Sequence, residues 1–198
     1  MNKNVFNNVC NILREDSHWG KLNSVNNNWH QDPVFYNYHK LGNKQKGTNG
    51  EYVVSKLMEA MGHKVVAPEG TGHDRIVNDI KTEIKFSLAV SEKDMIVKDK
   101  FIINHVSKEK DWDRLVFCGV NPNPDWGNMK IRRNDSLPFQ RQRMYFMHKD
   151  DFVSYMESPG SKIFKHQQGG EEIANDDFIC TNFHELIELP FVKHISEW

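Results

Sequence analysis

Asp74, Glu83 and Lys85 are the residues whose types and spacing carry chemistry in this chain. Glu83 and Lys85 stand two apart on a segment that reads as a β-strand, so both face one side of it. Ile84 and Phe86 face the other side and can pack on a helix. Asp74 opens the preceding strand. Asn78-Asp79 reads as a two-residue turn between the two strands, which brings Asp74 near Glu83. Two carboxylates and one ammonium held this close are unfavourable as mere structure, because the acids repel and one lysine offsets them only in part. A divalent cation resolves the conflict. Mg²⁺ takes one or two carboxylates, retained waters and a substrate phosphate oxygen. Lys85 then has a task, which is to orient an attacking water and stabilise charge on the phosphate.

Such a cluster needs elements to hold it. The spacing predicts a helix ahead of the hairpin. Thr48-Asn49-Gly50-Glu51 has the form of a capping box with Thr48 as N-cap, Val53, Val54, Leu57, Met58 and Met61 follow at helical spacing, and Gly62 ends the helix at C′. Glu51 shares a side of that helix with Val54 and Met58, so it sits at the edge of the packed face, near the strand ends. It also completes the capping box, which by itself accounts for an acid there. Lys64–Ala67 reads as a short strand stopped by Pro68, Glu69–Gly72 as a Gly-rich loop, and Asp74–Val77 and Ile80–Ser87 as the two strands of the hairpin. Phe101–Val106 is expected to be a strand. Arg114–Val120 is a continuous apolar run, as in a strand buried on both faces. Met144–Met147 reads as a strand and Asp150–Met156 as a helix N-capped by an Asp. Val5–Glu15 reads as a helix, and 16–47 as a long polar arm. This order predicts a mixed α/β domain.

The chain of 198 residues suits one domain with appendages. Division falls naturally at 1–47 (N-terminal helix and arm), 48–148 (core) and 149–198 (C-terminal helix and acidic segment). No apolar run is long enough to span a membrane, and no apolar stretch follows the first residues as in a secretory signal. The three cysteines are odd in number and far apart, which argues against a disulfide framework. A cytoplasmic protein is expected. The net charge of −1 hides an asymmetry: seven acids and one base lie between Glu171 and Trp198, leaving +5 on the first 170 residues. Lys130, Arg132, Arg133, Arg141 and Arg143 cluster in one window, and Lys44 and Lys46 in another. Both read as loop-like basic segments able to meet phosphates, although solvated loops have the same composition.

At Glu51, Asp74, Glu83 and Lys85 the chain resembles the PD-(D/E)XK, or restriction-endonuclease-like, nuclease superfamily. Asp74 matches the motif Asp, Glu83-x-Lys85 the acid-x-Lys, and Glu51 the acid that many members carry on the first core helix. The resemblance covers about Thr48 to Val120, with His73 where the motif often has Pro. It implies an αβββαβ core with a mixed central sheet flanked by helices. It further implies a metal held by Asp74, Glu83 and the backbone carbonyl of Ile84, with Mg²⁺ as cofactor and Mn²⁺ able to replace it. The implied activity is hydrolysis of DNA phosphodiesters to 5′-phosphate and 3′-hydroxyl ends.

Within that reading the expectation is a sequence-specific endonuclease on double-stranded DNA, which for a symmetric site would be a homodimer. The seven basic residues named above would then contact DNA. A structure-selective repair or junction nuclease is the nearest rival, and a non-catalytic DNA-binding or interaction module on the same fold is the alternative of another class. The intact Asp, Glu and Lys argue against a silent module.

Overall fold

The computed structural model describes residues 41–88, 91–92, 95–96, 101, 103, 106–120, 142–159, 164–166, 178–180 and 186–198, with isolated helical positions 8 and 12. The apolar run at Arg114–Val120 (β6) lies at the heart of a six-stranded mixed sheet. Its neighbours in chain order are β1 (Val65–Val66), β2 (Arg75–Val77), β3 (Ile80–Leu88), β7 (Gln142–His148) and β10 (Lys193–His194), arranged β1-β2-β3-β6-β7-β10. β3 and β6 run parallel, and every other pair in this sheet is antiparallel. Two small hairpins stand apart, β4 (Ser91–Glu92) with β5 (Met95–Ile96) and β8 (Phe164–His166) with β9 (Phe178–Cys180). The chain is an α/β domain in which two α-helices, α1 (Asn43–Ala60) and α2 (Lys149–Glu157), are described from end to end. None of the described helices is long and apolar enough to cross a membrane.

Alternation along the central strands builds two cores, one on each face. Val116, Cys118 and Val120 of β6, with Met144 and Phe146 of β7 and Ile84 of β3, pack on Val53, Val54, Leu57 and Met58 of α1. Leu115 and Phe117, with Tyr145 and Met147, face the opposite way onto Phe101, Ile103, Val106, Trp112, Phe152 of α2 and the Leu186–Val192 segment. Burial of Cys118 pushes its thiol well above the usual range, so it behaves as a small apolar core residue.

Three expectations are corrected. First, α1 begins at Asn43, with Gly42 as N-cap, so Thr48 is inside the helix and caps nothing. Its Oγ donates back to the Lys44 carbonyl, and the Gln45 side chain accepts from the Gly42 N–H. The 16–47 arm therefore gives up its last residues, including Lys44 and Lys46, to the helix. Gly47 reads as a breaker, but it costs a helix only about 1 kcal/mol, and tertiary packing of Leu41, Asn49 and Gly50 outweighs that. Second, Phe101–Val106 is not a strand at its described positions, although Phe101, Ile103 and Val106 are fully buried. Its apolar pattern reports burial under the sheet rather than pairing within it. Third, α2 starts at Lys149 with His148 as N-cap; Asp150 and Asp151 lie in its first turn, where their charges suit the helix dipole. The second helix of an αβββαβ core would fall in the parallel crossover, 89–113, much of which lies outside the described residues. Parallel strands need a long connection, and its described residues include the β4–β5 hairpin and the buried Phe101, Ile103, Val106 and Trp112.

Gly62 closes α1 as the sequence predicts. Its φ is +92°, and the N–H groups of Gly62 and His63 bond back to Glu59 and Met58, which is a Schellman close.

Candidate active site

The turn sets the geometry of the motif. Asn78 and Asp79 have φ of 49° and 65°, the type I′ form whose twist matches the flanking strands. The Asn78 side chain accepts from the Lys64 N–H at 2.9 Å and so ties the turn to β1. The register that follows pairs Arg75 with Thr82 and sends Glu83 and Lys85 to the crossover face, while Ile84 packs toward α1.

Asp74 lies immediately before β2. Its N–H donates to the Thr82 carbonyl at 3.1 Å, and its carboxylate accepts the Ile84 N–H at 2.7 Å. The side chain thus replaces a backbone acceptor where β2 has run out. The N–H and C=O of one strand residue leave on the same side. The Ile84 carbonyl is therefore directed to the Asp74 side of β3, beyond the end of β2.

Glu83 is 1% exposed. The Lys85 ammonium lies 2.6 Å from its Oε1, and the Lys110 ammonium 3.5 Å from the same oxygen. Oε2 is buried without a hydrogen-bond partner. A buried, unpartnered carboxylate oxygen costs more than the 1–3 kcal/mol or so of a neutral group, and a cation is the natural occupant. The donors at hand, two carboxylates and a backbone carbonyl, are hard oxygens that suit Mg²⁺ or Mn²⁺. Asp74, Glu83 and Ile84 therefore fit a divalent ion. They would need water or substrate to complete its shell. Among the described residues no three His, Cys, Asp or Glu side chains form a ready-made cage.

Glu51 is freed from its expected capping role and turns instead to Arg75, whose guanidinium is 3.8 Å from its Oε2. Arg75 also donates to Ser55 Oγ at 3.1 Å and to the Asp74 carbonyl. Burial, followed by the charge of Asp74, raises the Glu51 pKa to about 7; Glu83 adds to this, and Arg75 and Lys85 oppose it. Glu51 therefore stands within the field of Asp74, Glu83 and Lys85. Gly50 makes that approach possible. A Cβ at Gly50 would lie 2.5 Å from the Phe86 Cβ, so only glycine lets α1 settle this closely on β3.

The structure thus gathers Asp74, Glu83, Lys85 and Glu51 around the middle of β3, where β2 has ended. Lys44 is exposed and Lys46 half-buried in the opening turns of α1. Lys130, Arg132, Arg133 and Arg141 lie outside the described residues. Arg143 has its backbone in β7 opposite Gly119, and its side chain lies outside the description. Sequence reasoning missed Lys110, Arg75 and the buried state of His73. His73 Nδ1 sits 3.1 Å from the Asp111 carbonyl, and its Nε2 is buried without a partner. No periodicity marks Lys110, which enters through the crossover. Arg75 could have been found, since it directly follows the motif Asp on the short strand. No protein-family model and no curated protein matches the chain.

Proposed function

We propose that this protein is a Mg²⁺-dependent DNA endonuclease on a restriction-endonuclease-like core. The observation that carries the reading is the pairing of a buried Glu83, one oxygen unpartnered and the other on Lys85, with an Asp74 pinned beside it to Ile84. Asp74, Glu83 and the Ile84 carbonyl would hold the ion. When bound, the ion supplies Lewis acidity toward a phosphoryl oxygen. Lys85 donates hydrogen bonds to the attacking water and to the phosphate, stabilising charge as it develops. Glu51, held near by Arg75, adds a carboxylate at the edge of the site. In-line attack leaves a 5′-phosphate and a 3′-hydroxyl.

The substrate we favour is double-stranded DNA cut at a specific sequence. A homodimer would be the form that reads a symmetric site. The test is incubation with supercoiled plasmid and linear phage DNA, in Mg²⁺ and in EDTA, beside Glu83→Ala and Lys85→Ala. Discrete Mg²⁺-dependent fragments, absent with both variants, are expected. A smear would keep the chemistry and replace sequence specificity with non-specific or structure-selective cutting. Full cleavage by both variants would overturn the assignment of Glu83 and Lys85, and no cleavage by the wild type would favour a non-catalytic module.

A further inference from the structure

We propose that Lys110 is a second ammonium of this site, contacting a non-bridging oxygen of the substrate phosphate from the crossover side. The inference rests on the nuclease reading and adds a residue to it. Two ammonium groups share one Glu83 oxygen, but they are not equivalent. Lys85 lies at 2.6 Å and is 18% exposed, whereas Lys110 lies at 3.5 Å and is 41% exposed. Lys85 is a hydrogen-bonded partner within the site. Lys110 reaches in from solvent and is attracted without being locked. One carboxylate cannot neutralise both. When Glu83 turns its charge to a cation, the exposed ammonium at the mouth is the one left for an incoming anion, and the anion of this reaction is phosphate.

The backbone under Lys110 is unusually well anchored for a loop. Its own carbonyl accepts from Lys149 Nζ of α2 at 2.6 Å, and that ammonium also lies over the Trp112 ring. The next carbonyl, of Asp111, meets His73 Nδ1 at 3.1 Å. Trp112 Nε1 donates across the loop to the Ser107 carbonyl at 2.8 Å, and the Asp113 N–H donates to Lys81 of β3 at 2.9 Å. Gly72 packs directly on Asp111. The loop is therefore tied to α2, to the residue preceding Asp74 and to β3. Such anchoring fixes where a side chain stands before substrate arrives, which is what a binding site needs. A lysine that served only to neutralise Glu83 would not require it.

The experiment uses the full chain with Lys110→Gln, Lys110→Arg and, as a charge-matched control, Lys64→Gln at the far end of the hairpin. Binding of a fluorescent duplex is measured with Ca²⁺ in place of Mg²⁺, so that a divalent cation is present, across roughly 50–200 mM salt, and cleavage in Mg²⁺. Lys110→Gln is expected to weaken binding about tenfold and lower the salt slope by about 1, as for one lost phosphate contact, and to slow cleavage. Lys110→Arg should keep the slope, and Lys64→Gln should match the wild type. If the wild type binds and cuts while Lys110→Gln does both equally well, the Lys110 inference falls and the nuclease reading stands. A lower melting temperature with an unchanged salt slope would likewise reduce Lys110 to a structural ion pair. Wild type that neither binds nor cuts DNA would overturn both.

Discussion

Replacing Lys85 with Met separates stability from function at this site. Met keeps much of the length and apolar volume of the lysine stem but removes the ammonium 2.6 Å from a carboxylate that is 1% exposed. Removing one partner of a buried pair costs about 3–5 kcal/mol, because the other charge is left uncompensated. Two features lower that figure here: Lys110 remains 3.5 Å from the same oxygen, and Lys85 itself is not fully buried. A loss of about 2–3 kcal/mol is the expected value by that principle. For a chain of this size roughly 2–4 °C accompanies each kcal/mol, so melting should fall by about 4–12 °C. The partner change, Glu83→Gln in the same molecule, removes the stranded charge. Glu83→Gln/Lys85→Met should melt at or above the wild-type temperature, since an apolar or neutral replacement of a buried pair is often neutral or stabilising. Under the proposed function, neither variant should cleave DNA. The assay is thermal or urea unfolding in EDTA, with the two single variants and the double closing a cycle. A Lys85→Met protein that melts with the wild type, or a double variant no more stable than Lys85→Met, would refute the picture of Glu83 as a buried charge held by Lys85.

Gly50→Ala should destabilise by about 1–3 kcal/mol, because the new Cβ meets the root of Phe86 rather than a yielding side-chain tip; urea unfolding reads this, and an unchanged midpoint would mean α1 lies farther from β3. Glu51 binds a proton in the fold that the unfolded chain releases above about 4.5, so stability falls as pH rises from there and levels off near 7. Melting in EDTA should therefore show Glu51→Gln gaining on the wild type as pH rises across that window, and a difference independent of pH would be the opposing result. Asp79→Gly should be neutral or stabilising by up to about 1 kcal/mol, because glycine suits the positive φ and the Lys64 pair it removes is exposed. Asn78→Ala at the same turn should be clearly destabilising, because Asn78 holds the Lys64 N–H; equal melting of the two variants would contradict the turn geometry.

Local chemistry made much of this legible. The turn at Asn78-Asp79, the alternation in β3, the glycine close of α1 and the two-faced burial of β6 all follow from patterns within a few residues. Glu83 and Lys85 therefore share the strand and face that the alternation predicts, while Asp74 lies one residue before β2 rather than within it. What escaped was decided by contacts far apart in sequence. The start of α1 lies before Gly47 because Leu41, Asn49 and Gly50 pack against the domain. Phe101, Ile103 and Val106 have the composition of a strand, yet they cover a sheet face without joining the ladder. Lys110 reaches Glu83 across 27 residues of chain, through a loop with no periodic signal. Glu51 shows the same dependence in reverse. A plausible local role as a cap hid the partner it meets, Arg75, on another element.

The distribution of unmet demands sets the middle of β3 apart from the rest of the sheet. Native folds satisfy nearly all buried polar groups. Three buried side-chain atoms among the described residues have no partner: Glu83 Oε2, His73 Nε2 and Trp198 Nε1. Two of the three belong to the motif or to its immediate neighbour. Glu51, with its pKa raised to about 7, stands in the same place, as do two ammonium groups on one carboxylate oxygen. The rest of β3 shows no such conflict: Thr82 bonds the Ile80 carbonyl, Ile84 packs on α1, and Ser87 bonds the Leu88 carbonyl. Replacing a buried ion pair by apolar residues is often neutral or stabilising, so stability does not explain Glu83. An orphaned carboxylate oxygen, with an aspartate pinned nearby and two lysines at its other oxygen, is what the proposed metal and phosphate would complete.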